Sequence, residues 1–398
     1  MIKKIIKKSF ILMLGAVILA ILTAAGILLI KVDFSNPENL DMFVQAKIKK
    51  AEIPGISFAI IKNGKLDSIN NYGDFDAENK KPVTENTLFQ IASVSKTITA
   101  TAVMQLYEKG LIKLDDDVNR YLPFKIIHPK FPDTAITFRM LLTHTSGIDN
   151  NWDVYESLYT IKNGGGDSPV SLEQFIKGFL VQGGEWYDGE KNFIPLAPGT
   201  QCNYSNPGYA LLGCLVERIT NMPFNEYCQE NIFNPLEMNS SKWLLKETEL
   251  SKLAIPYDEH NAALPHYSFP TYPDGSLKTS TQEYAHFILA ILNGGKYNSA
   301  AILSRQSLEE MFRPQADENK QALAWSYSIP EDLLMKDFSG KQLVGHTGSD
   351  PGVFSMTLFN RDNKNGLILF MNKEIKMDVK TINIYLLVRR LIHEANLV

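Results

Sequence analysis

The chain has 398 residues, enough for two domains or for one large domain that carries an insertion. Its composition is 44% hydrophobic, 21% charged and 10% aromatic, which is typical of a globular protein and excludes a disordered or fibrous one. The net charge of −4 gives no electrostatic footprint for nucleic acid, so we expect no nucleic-acid partner.

The N-terminus predicts a membrane segment. Four lysines precede an uncharged run of 21 residues, 10–30, which would span about 31 Å as a helix and cross a hydrocarbon core. The run continues past the small residues Thr23-Ala24-Ala25, so we favour an uncleaved anchor over a signal peptide. The lysines should stay in the cytoplasm, which predicts a single-pass protein whose remaining chain lies outside, or a secreted protein if the segment is cleaved.

A linker and the first regular elements follow the predicted anchor of residues 1–30. Residues 31–50 are interpreted as a linker that ends in a short helix from Asn39 to Lys50. The pattern then predicts a strand from Gly55 to Ile61 and a partner strand from Leu66 to Tyr72. Lys62-Asn63-Gly64-Lys65 joins them, and its Asn-Gly pair is typical of a hairpin turn.

Ser93 and Lys96 are three residues apart in a segment that predicts a helix. If residues from about Val94 onward are helical, both side chains lie on one face, with Ser93 at the N-terminus. A serine hydroxyl becomes a good nucleophile when a nearby group takes its proton. A lysine can act as that base, or its positive charge can stabilise the serine oxygen electrostatically. The helix start adds free N–H groups that favour an anionic oxygen. Ser-x-x-Lys alone is weak evidence for a catalytic site, since roughly one or two such motifs are expected by chance in a chain this long.

From about Asp116 to Asp274 the chain predicts short helices and long proline-containing loops, typical of an insertion. Tyr204-Ser205-Asn206 lies within it and places polar side chains at the entrance of a helix from about Pro207. All three cysteines lie here as well, and in an oxidising compartment one pair could form a disulfide. Cys214, in an apolar helical run, is interpreted as a buried core thiol.

The C-terminal part returns to strands after a helix that ends at Leu292. We predict a capping box of Ser280 and Glu283 at the start of that helix. Three strands follow, Leu343 to Thr347, Val353 to Phe359 and Gly366 to Met371, and then an amphipathic helix from Asp378 to Ile392. Strands at both ends of the chain predict that the first and last segments share one sheet.

The chain carries three short motifs in order: Ser93-x-x-Lys96, Tyr204-x-Asn206 and His346-Thr347-Gly348. Together, in this order, they resemble the motifs of the serine β-lactamase and penicillin-binding-protein superfamily. The class C-like branch, which includes DD-carboxypeptidases, D-aminopeptidases and family VIII-type esterases, is the best match. The resemblance covers about Pro54 to Asn372, and flanking segments match at 141–147, 303–311 and 345–352.

The resemblance implies an α/β (α+β) fold. An antiparallel sheet from the N- and C-terminal segments would be flanked by helices, with a mainly helical region inserted between them. Residues 51–398 would then form one hydrolase domain, with the insertion at about 116–274.

The resemblance also implies roles for the motif residues. Ser93 Oγ would attack a carbonyl to form an acyl-enzyme, and Lys96 and Tyr204 would manage its proton and later activate water. Which of the two is the base stays open. Asn206 would hold a substrate carbonyl, and the backbone N–H groups of Ser93 and Ser349 would form the oxyanion hole. His346, Thr347, Gly348 and Ser349 would line the substrate-binding side.

The first residue of the third motif departs from the lysine that many β-lactamases and carboxypeptidases have. Lysine is a fixed cation suited to a substrate carboxylate, whereas histidine is mostly neutral above a pKa of about 6.5. His346 therefore favours an esterase or a peptide amidase over an efficient β-lactamase.

Several other residues have ordinary interpretations. Ser95 points about 100° away from its neighbours on a helix and is not expected to be the nucleophile. His144 is interpreted as a structural hydrogen-bonding group, whereas Trp325 and Tyr327 could line the site or pack. The scattered histidines and cysteines have no zinc spacing, so we expect no metal and no cofactor.

The sequence thus predicts a membrane-anchored, extracytoplasmic serine hydrolase that acts on a small-molecule or peptide substrate. Esters and peptides that contain D-amino acids are the two leading substrate classes, and β-lactams come third. The competing hypothesis is a non-catalytic module of the same fold that binds penicillin or a cell-wall peptide. The set of four, Ser93, Lys96, Tyr204 and Asn206, argues against it, since binding alone does not need all four.

Overall fold

The computed structural model describes residues 39–316, 320–329, 343–376 and 380–397. The N-terminal run that the sequence predicts as a membrane anchor lies outside these residues, so that prediction stays a prediction. Among the helices within the described ranges, none is both long and apolar enough to span a bilayer.

A six-stranded antiparallel sheet holds the two ends of the domain together. Its order is β3-β2-β1-β10-β9-β8, and β1 pairs with β10 from Ile56 opposite Met371 to Ile61 opposite Gly366. The prediction that the first and last segments share one sheet is confirmed. The strands are β1 Gly55–Lys62, β2 Lys65–Asp76, β3 Lys81–Pro82, β8 Leu343–Asp350, β9 Val353–Asn360 and β10 Asn365–Met371.

The hairpin at the start of the sheet turns at Asn63 and Gly64. Both residues have positive φ, 52° and 71°, as a tight hairpin turn requires, and Lys62 pairs with Lys65 across it. The predicted turn is confirmed, but β2 runs four residues beyond Tyr72. It does so because Gly73 still pairs with Gly55 and its last residues pair with β3.

Both faces of the sheet are covered, so alternate residues of the central strands enter two different cores. Phe58 and Ile60 point into the cluster formed with helices α1 (Leu40–Ala51) and α10 (Thr381–Glu394). Ala59 and Ile61 belong to the larger cluster on the other face, together with α2 (Lys96–Glu108) and α8 (Thr281–Leu292). This alternation is the two-residue period of a strand that is buried on both sides.

The inserted region consists of short helices and long connections, as the prolines suggest. Its helices are α3 Phe138–Leu142, α4 Trp152–Tyr155, α5 Leu172–Leu180, α6 Asn206–Thr220 and α7 Phe224–Cys228. Two short strands pair with each other: β4 Phe89–Gln90, which precedes this region in the chain, and β5 Lys278–Thr279, which follows it. The remaining elements are β6 Lys296–Tyr297, β7 Ala300–Ala301 and α9 Arg305–Phe312.

Only half of the predicted capping box forms at the start of α8. The Ser280 side chain accepts a hydrogen bond from the Glu283 N–H at 3.1 Å. The Glu283 carboxylate does not turn back to Ser280, because it accepts hydrogen bonds from the Ser240 N–H and the Ser241 hydroxyl. Tertiary partners thus replace the local one.

Candidate active site

Ser93 lies in a tight 3₁₀ turn, Ala92–Ser95, that directly precedes α2. The sequence predicts Ser93 at the start of the α-helix, but the α-helix begins at Lys96. Ala92, at the start of the turn, has a φ of 44°, in the left-handed region that a non-glycine residue adopts only at a cost. The turn presents Ser93 at the helix entrance, while Ser95 Oγ is buried and accepts a hydrogen bond from the Leu277 N–H.

Lys96 is fully buried, and its Nζ reaches three acceptors. It lies 3.1 Å from Ser93 Oγ, 2.7 Å from Asn206 Oδ1 and 2.7 Å from the Asp274 carbonyl oxygen. An ammonium has three N–H donors, so this shell matches its hydrogen-bonding capacity. Nζ also lies 5.0 Å from the centre of the Tyr204 ring. The structure therefore brings Ser93, Lys96, Tyr204 and Asn206 together, as the motifs predict.

The entrance of α6 carries Tyr204 and Asn206. Ser205 caps the helix by accepting a hydrogen bond from the Gly208 N–H at 3.0 Å. Asn150 forms hydrogen bonds on both sides of the capping residue Ser205. Its side-chain amide donates to the Tyr204 carbonyl, and its Oδ1 accepts from the Asn206 N–H. Sequence reasoning missed Asn150, which lies in a loop with no motif of its own.

His144 lies beneath Tyr204, and its structural role agrees with the sequence interpretation. Its Nδ1 accepts a hydrogen bond from the Ser205 N–H at 3.1 Å, and its ring lies 4.3 Å from the Tyr204 ring. Burial, with the nearby Lys96 and His346, lowers the pKa of His144 well below the usual 6.5. The neutral His144 ring thus packs against the Tyr204 ring and helps to hold it in place.

The third motif lies on β8, directly against the Ser93 turn. A Cβ on Gly348 would stand 2.8 Å from the Ser93 backbone nitrogen and 2.6 Å from the Ile91 carbonyl oxygen. Only glycine therefore allows β8 to come this close. Thr347 and Ser349 flank Gly348 on the strand, so the Ser93 backbone and the third motif meet where the resemblance places the oxyanion hole.

His346 supplies no fixed positive charge to the site. It is buried, and burial together with Lys96 lowers its pKa to about 3. Its Nδ1 lies 2.7 Å from the Thr347 carbonyl oxygen, so in the neutral ring Nδ1 carries the proton and donates to that oxygen.

Two aspartates that sequence reasoning missed lie behind Lys96. Asp274 Oδ1 is 3.7 Å from Lys96 Nζ, and Asp274 Oδ2 accepts a hydrogen bond of 2.5 Å from the Tyr155 hydroxyl. Asp350 Oδ1 accepts one of 2.9 Å from the Tyr159 hydroxyl. Burial raises the pKa of both carboxyls; that of Asp350 reaches about 7, with repulsion from Asp274 as the next cause. Asp350 lies two residues after the third motif, but Asp274 lies in an ordinary turn sequence.

The remaining candidates are structural. Trp325 is fully buried and packs against Phe312 and Phe359, and the Tyr327 hydroxyl donates to the Phe312 carbonyl. Both side chains pack. None of the three cysteines is in a disulfide, so the bridge considered from sequence does not form, and Cys214 is buried as predicted.

A family model described as Beta-lactamase matches residues 40–389 of the chain. Protein flp from Staphylococcus aureus (strain MRSA252) is 26% identical over 342 residues, which is 85% of this chain and 63% of that protein. The chain thus spans less than two thirds of the length of this curated relative.

Solved structures resemble the fold. The octameric penicillin-binding protein homologue from Pyrococcus abyssi has 26% sequence identity and a TM-score of 0.66, covering 88% of this chain and 76% of that one. A beta-lactamase/D-alanine carboxypeptidase from Pseudomonas syringae has a TM-score of 0.68 over 90% of this chain and 99% of that one. Its identity of 23% supports a shared fold alone.

Proposed function

The chain belongs to the beta-lactamase family, and from that premise we propose that it is a serine hydrolase that works through an acyl-enzyme on Ser93. The observation that carries the proposal is the arrangement around Lys96 Nζ, which contacts both Ser93 Oγ and Asn206 Oδ1. A side chain at hydrogen-bond distance from a serine can accept its proton or stabilise the oxygen left behind.

The proposed reaction has two steps. Ser93 Oγ attacks the carbonyl carbon of the substrate, its proton passes through Lys96 and Tyr204 to the leaving alcohol or amine, and the acyl group stays on Ser93. Water then attacks the carbonyl carbon of the acyl ester and the bond from that carbon to Ser93 Oγ breaks. The proton of the water passes back through the same groups to Ser93 Oγ, and the acid is released. In both steps the backbone N–H groups of Ser93 and Ser349 would stabilise the oxyanion, an effect of roughly 3–4 kcal/mol per donor in other enzymes.

We propose that the substrate is an ester or a peptide that contains D-amino acids. The support is the electrostatics of the third motif, because His346 is neutral and two carboxyl groups, Asp274 and Asp350, lie behind Lys96. A site that recognises a substrate carboxylate needs a cation free to bind it, and the Lys96 ammonium is already surrounded by protein acceptors. Substrates with a free carboxylate beside the cleaved bond, β-lactams among them, are therefore less favoured than esters and than D-amino-acid peptides that lack such a carboxylate.

Intact-mass spectrometry of the full chain tests this proposal. We expect activated short-chain esters, or D-amino-acid peptides whose C-terminus is amidated, to be turned over with a Ser93 acyl adduct that can be trapped at short times. Ser93→Ala should lose both the adduct and the turnover, by at least about 10³-fold. Ser95→Ala is the matched control, since Ser95 Oγ is buried beside Leu277.

The outcomes separate the rival hypotheses. A long-lived penicillin adduct on Ser93 would instead favour a cell-wall peptide enzyme that deacylates slowly. Penicillin binding that persists in Ser93→Ala, without turnover of any substrate, would overturn the proposal in favour of a binding module.

A further inference from the structure

Two carboxyl groups and one ammonium lie behind the proposed nucleophile, where Lys96 and Asp274 are buried and Asp350 is half-buried. Asp274 contacts Lys96 directly, at 3.7 Å. Asp350 approaches from β8: a Cβ on Gly275 would stand 3.2 Å from Asp350 Oδ2 and 3.6 Å from the Ala92 carbonyl carbon. The Asp350 carboxyl therefore lies close to the turn that carries Ser93.

The charge of this region depends on the two aspartates and Lys96. Besides Tyr204 and Tyr209, whose ring centres lie 5.0 and 5.6 Å from Lys96 Nζ, the titratable groups near them are Tyr155, Tyr159, Tyr267, His144, His346 and Glu374. Burial raises the pKa of Tyr155, Tyr159 and Tyr267 well above 10 and lowers that of both histidines, so these five groups are neutral near pH 7. Glu374 is more distant and half-buried, and it raises the pKa of Asp350 only as a minor cause.

One cation can balance one carboxylate. Asp274, which contacts Lys96 and accepts from the Tyr155 hydroxyl, is the carboxyl best placed to carry the negative charge. Asp350 has only the Tyr159 hydroxyl as a side-chain donor within the described residues. Its pKa is raised to about 7 by burial and by Asp274, so it gains or loses its proton near neutral pH.

We propose that Asp350 is a positioning residue that controls acylation of Ser93 through its own proton. Neutral Asp350 leaves Asp274 as the single counter-ion of Lys96. Ionised Asp350 adds a second negative charge near the turn that carries Ser93, where it opposes the charge that develops on the substrate oxygen. The inference rests on the proposed acyl-enzyme function.

The sign of the pH dependence follows. Asp350 is protonated below its raised pKa, so acylation is fastest there and slows as the pH rises through about 7. The negative charge of ionised Asp350 repels the negative charge that develops on the substrate oxygen, and this repulsion should slow acylation by roughly tenfold.

The test is the pH profile of kcat/KM for an activated ester, each variant being normalised to its own maximum. The wild type should lose about tenfold above neutral pH. Asp350→Asn should lack this fall. Tyr159→Phe should move it to higher pH, because the Tyr159 hydroxyl stabilises the ionised carboxylate. Tyr267→Phe is the matched control, since that hydroxyl donates to the Pro351 carbonyl, and its profile should follow the wild type.

A readout without turnover separates this inference from the proposed function. Infrared difference spectra between acid and alkaline pH should show the C=O stretch of a protonated carboxyl that disappears near neutral pH. That band should be absent in Asp350→Asn and present in Tyr267→Phe, whether or not the chain hydrolyses anything.

Two results would overturn the inference. One is an infrared band that survives in Asp350→Asn. The other is an alkaline fall of unchanged midpoint in Asp350→Asn, which would assign the fall to another group. Loss of all Ser93 reactivity with an intact infrared band would instead reject the proposed function alone.

Discussion

At the scale of single residues, two buried lysines differ in the partners that compensate for their burial. Lys96 has three acceptors and a carboxylate within 3.7 Å. Lys278 is equally buried, but it donates only to the Trp243 carbonyl and to Ser276 Oγ, and it forms no ion pair within the described ranges. Burial accordingly lowers the pKa of Lys278 to about 7.

The lowered pKa of Lys278 predicts a stability that depends on pH. The unfolded chain binds this proton up to a pKa of about 10.5, whereas the folded protein releases it above about 7. The destabilising cost is therefore fully present below about pH 7 and is relieved as the pH rises toward 10. Lys278→Met should raise the Tm more at about pH 6 than at about pH 10, by roughly 2–4 °C per kcal/mol recovered.

Differential scanning calorimetry at the two pH values measures this effect. The substitution also leaves the Trp243 carbonyl without its donor, but that loss is the same at both pH values. An equal change in Tm at both would mean that Lys278 is not forced to release its proton on folding.

At the scale of elements, the Ser93 turn is held by strands on both sides. The Ile91 N–H donates to the Leu277 carbonyl at 2.9 Å, and the Ser355 hydroxyl of β9 donates to the Ile91 carbonyl at 2.5 Å. These bonds fix the residue just before Ala92, whose φ of 44° is strained. A strained backbone persists only where its surroundings hold it, so β9 contributes to the geometry of Ser93.

Removing the Ser355 hydroxyl should therefore disturb the nucleophile. Ser355→Ala leaves the buried Ile91 carbonyl without that donor, a cost of about 1–3 kcal/mol, and releases the turn. We expect kcat for an activated ester to fall roughly tenfold or more, since small misplacements at a reacting centre are costly.

The same strand offers a matched control. Thr357 is also fully buried on β9, and its hydroxyl makes no hydrogen bond within the described part of the chain. Thr357→Val should leave both kcat and Tm close to the wild-type values. Equal losses in the two variants would show that the Ser355 hydroxyl has no special role in placing Ser93.

At the scale of the whole molecule, the sheet depends on the two ends of the domain. Strands β8, β9 and β10 supply half of its six strands, and α10 covers the apolar cluster that contains Phe58 and Ile60. A fragment of residues 39–329 keeps the Ser93, Tyr204 and Asn206 motifs but exposes the edge of β1 and that cluster.

We expect this fragment not to fold by itself. It should lack a cooperative thermal transition in circular dichroism, because the buried surface that offsets chain entropy is lost. Adding a second fragment of residues 343–398 should restore the transition. A cooperative transition in the first fragment alone would show that the inserted region is an independent folding unit.

The sequence predicted those features that depend on local chemistry. The Asn63-Gly64 turn and the ends of β8, β9 and β10 were predicted to within a few residues, since turn residues and apolar runs mark them. The 3₁₀ turn at Ser93 was not, and neither was the positive φ of Ala92, which an alanine side chain disfavours. Glu283 likewise bonds Ser240 and Ser241, which lie about forty residues earlier in the chain.

By itself the sequence determined the set of candidate site residues and their order: Ser93, Lys96, Tyr204, Asn206 and His346. Residue type and short spacing along the chain are sufficient for that, and the strand and helix patterns gave the shared sheet. Tertiary structure alone decided the electrostatics. Asp274 lies 178 positions after Lys96 in the chain, and only folding brings its carboxylate within 3.7 Å of Lys96 Nζ. Asp350 lies 257 positions after Ser93, and only folding brings it close to the Ser93 turn. Burial and proximity, which no local pattern encodes, then set which groups are charged.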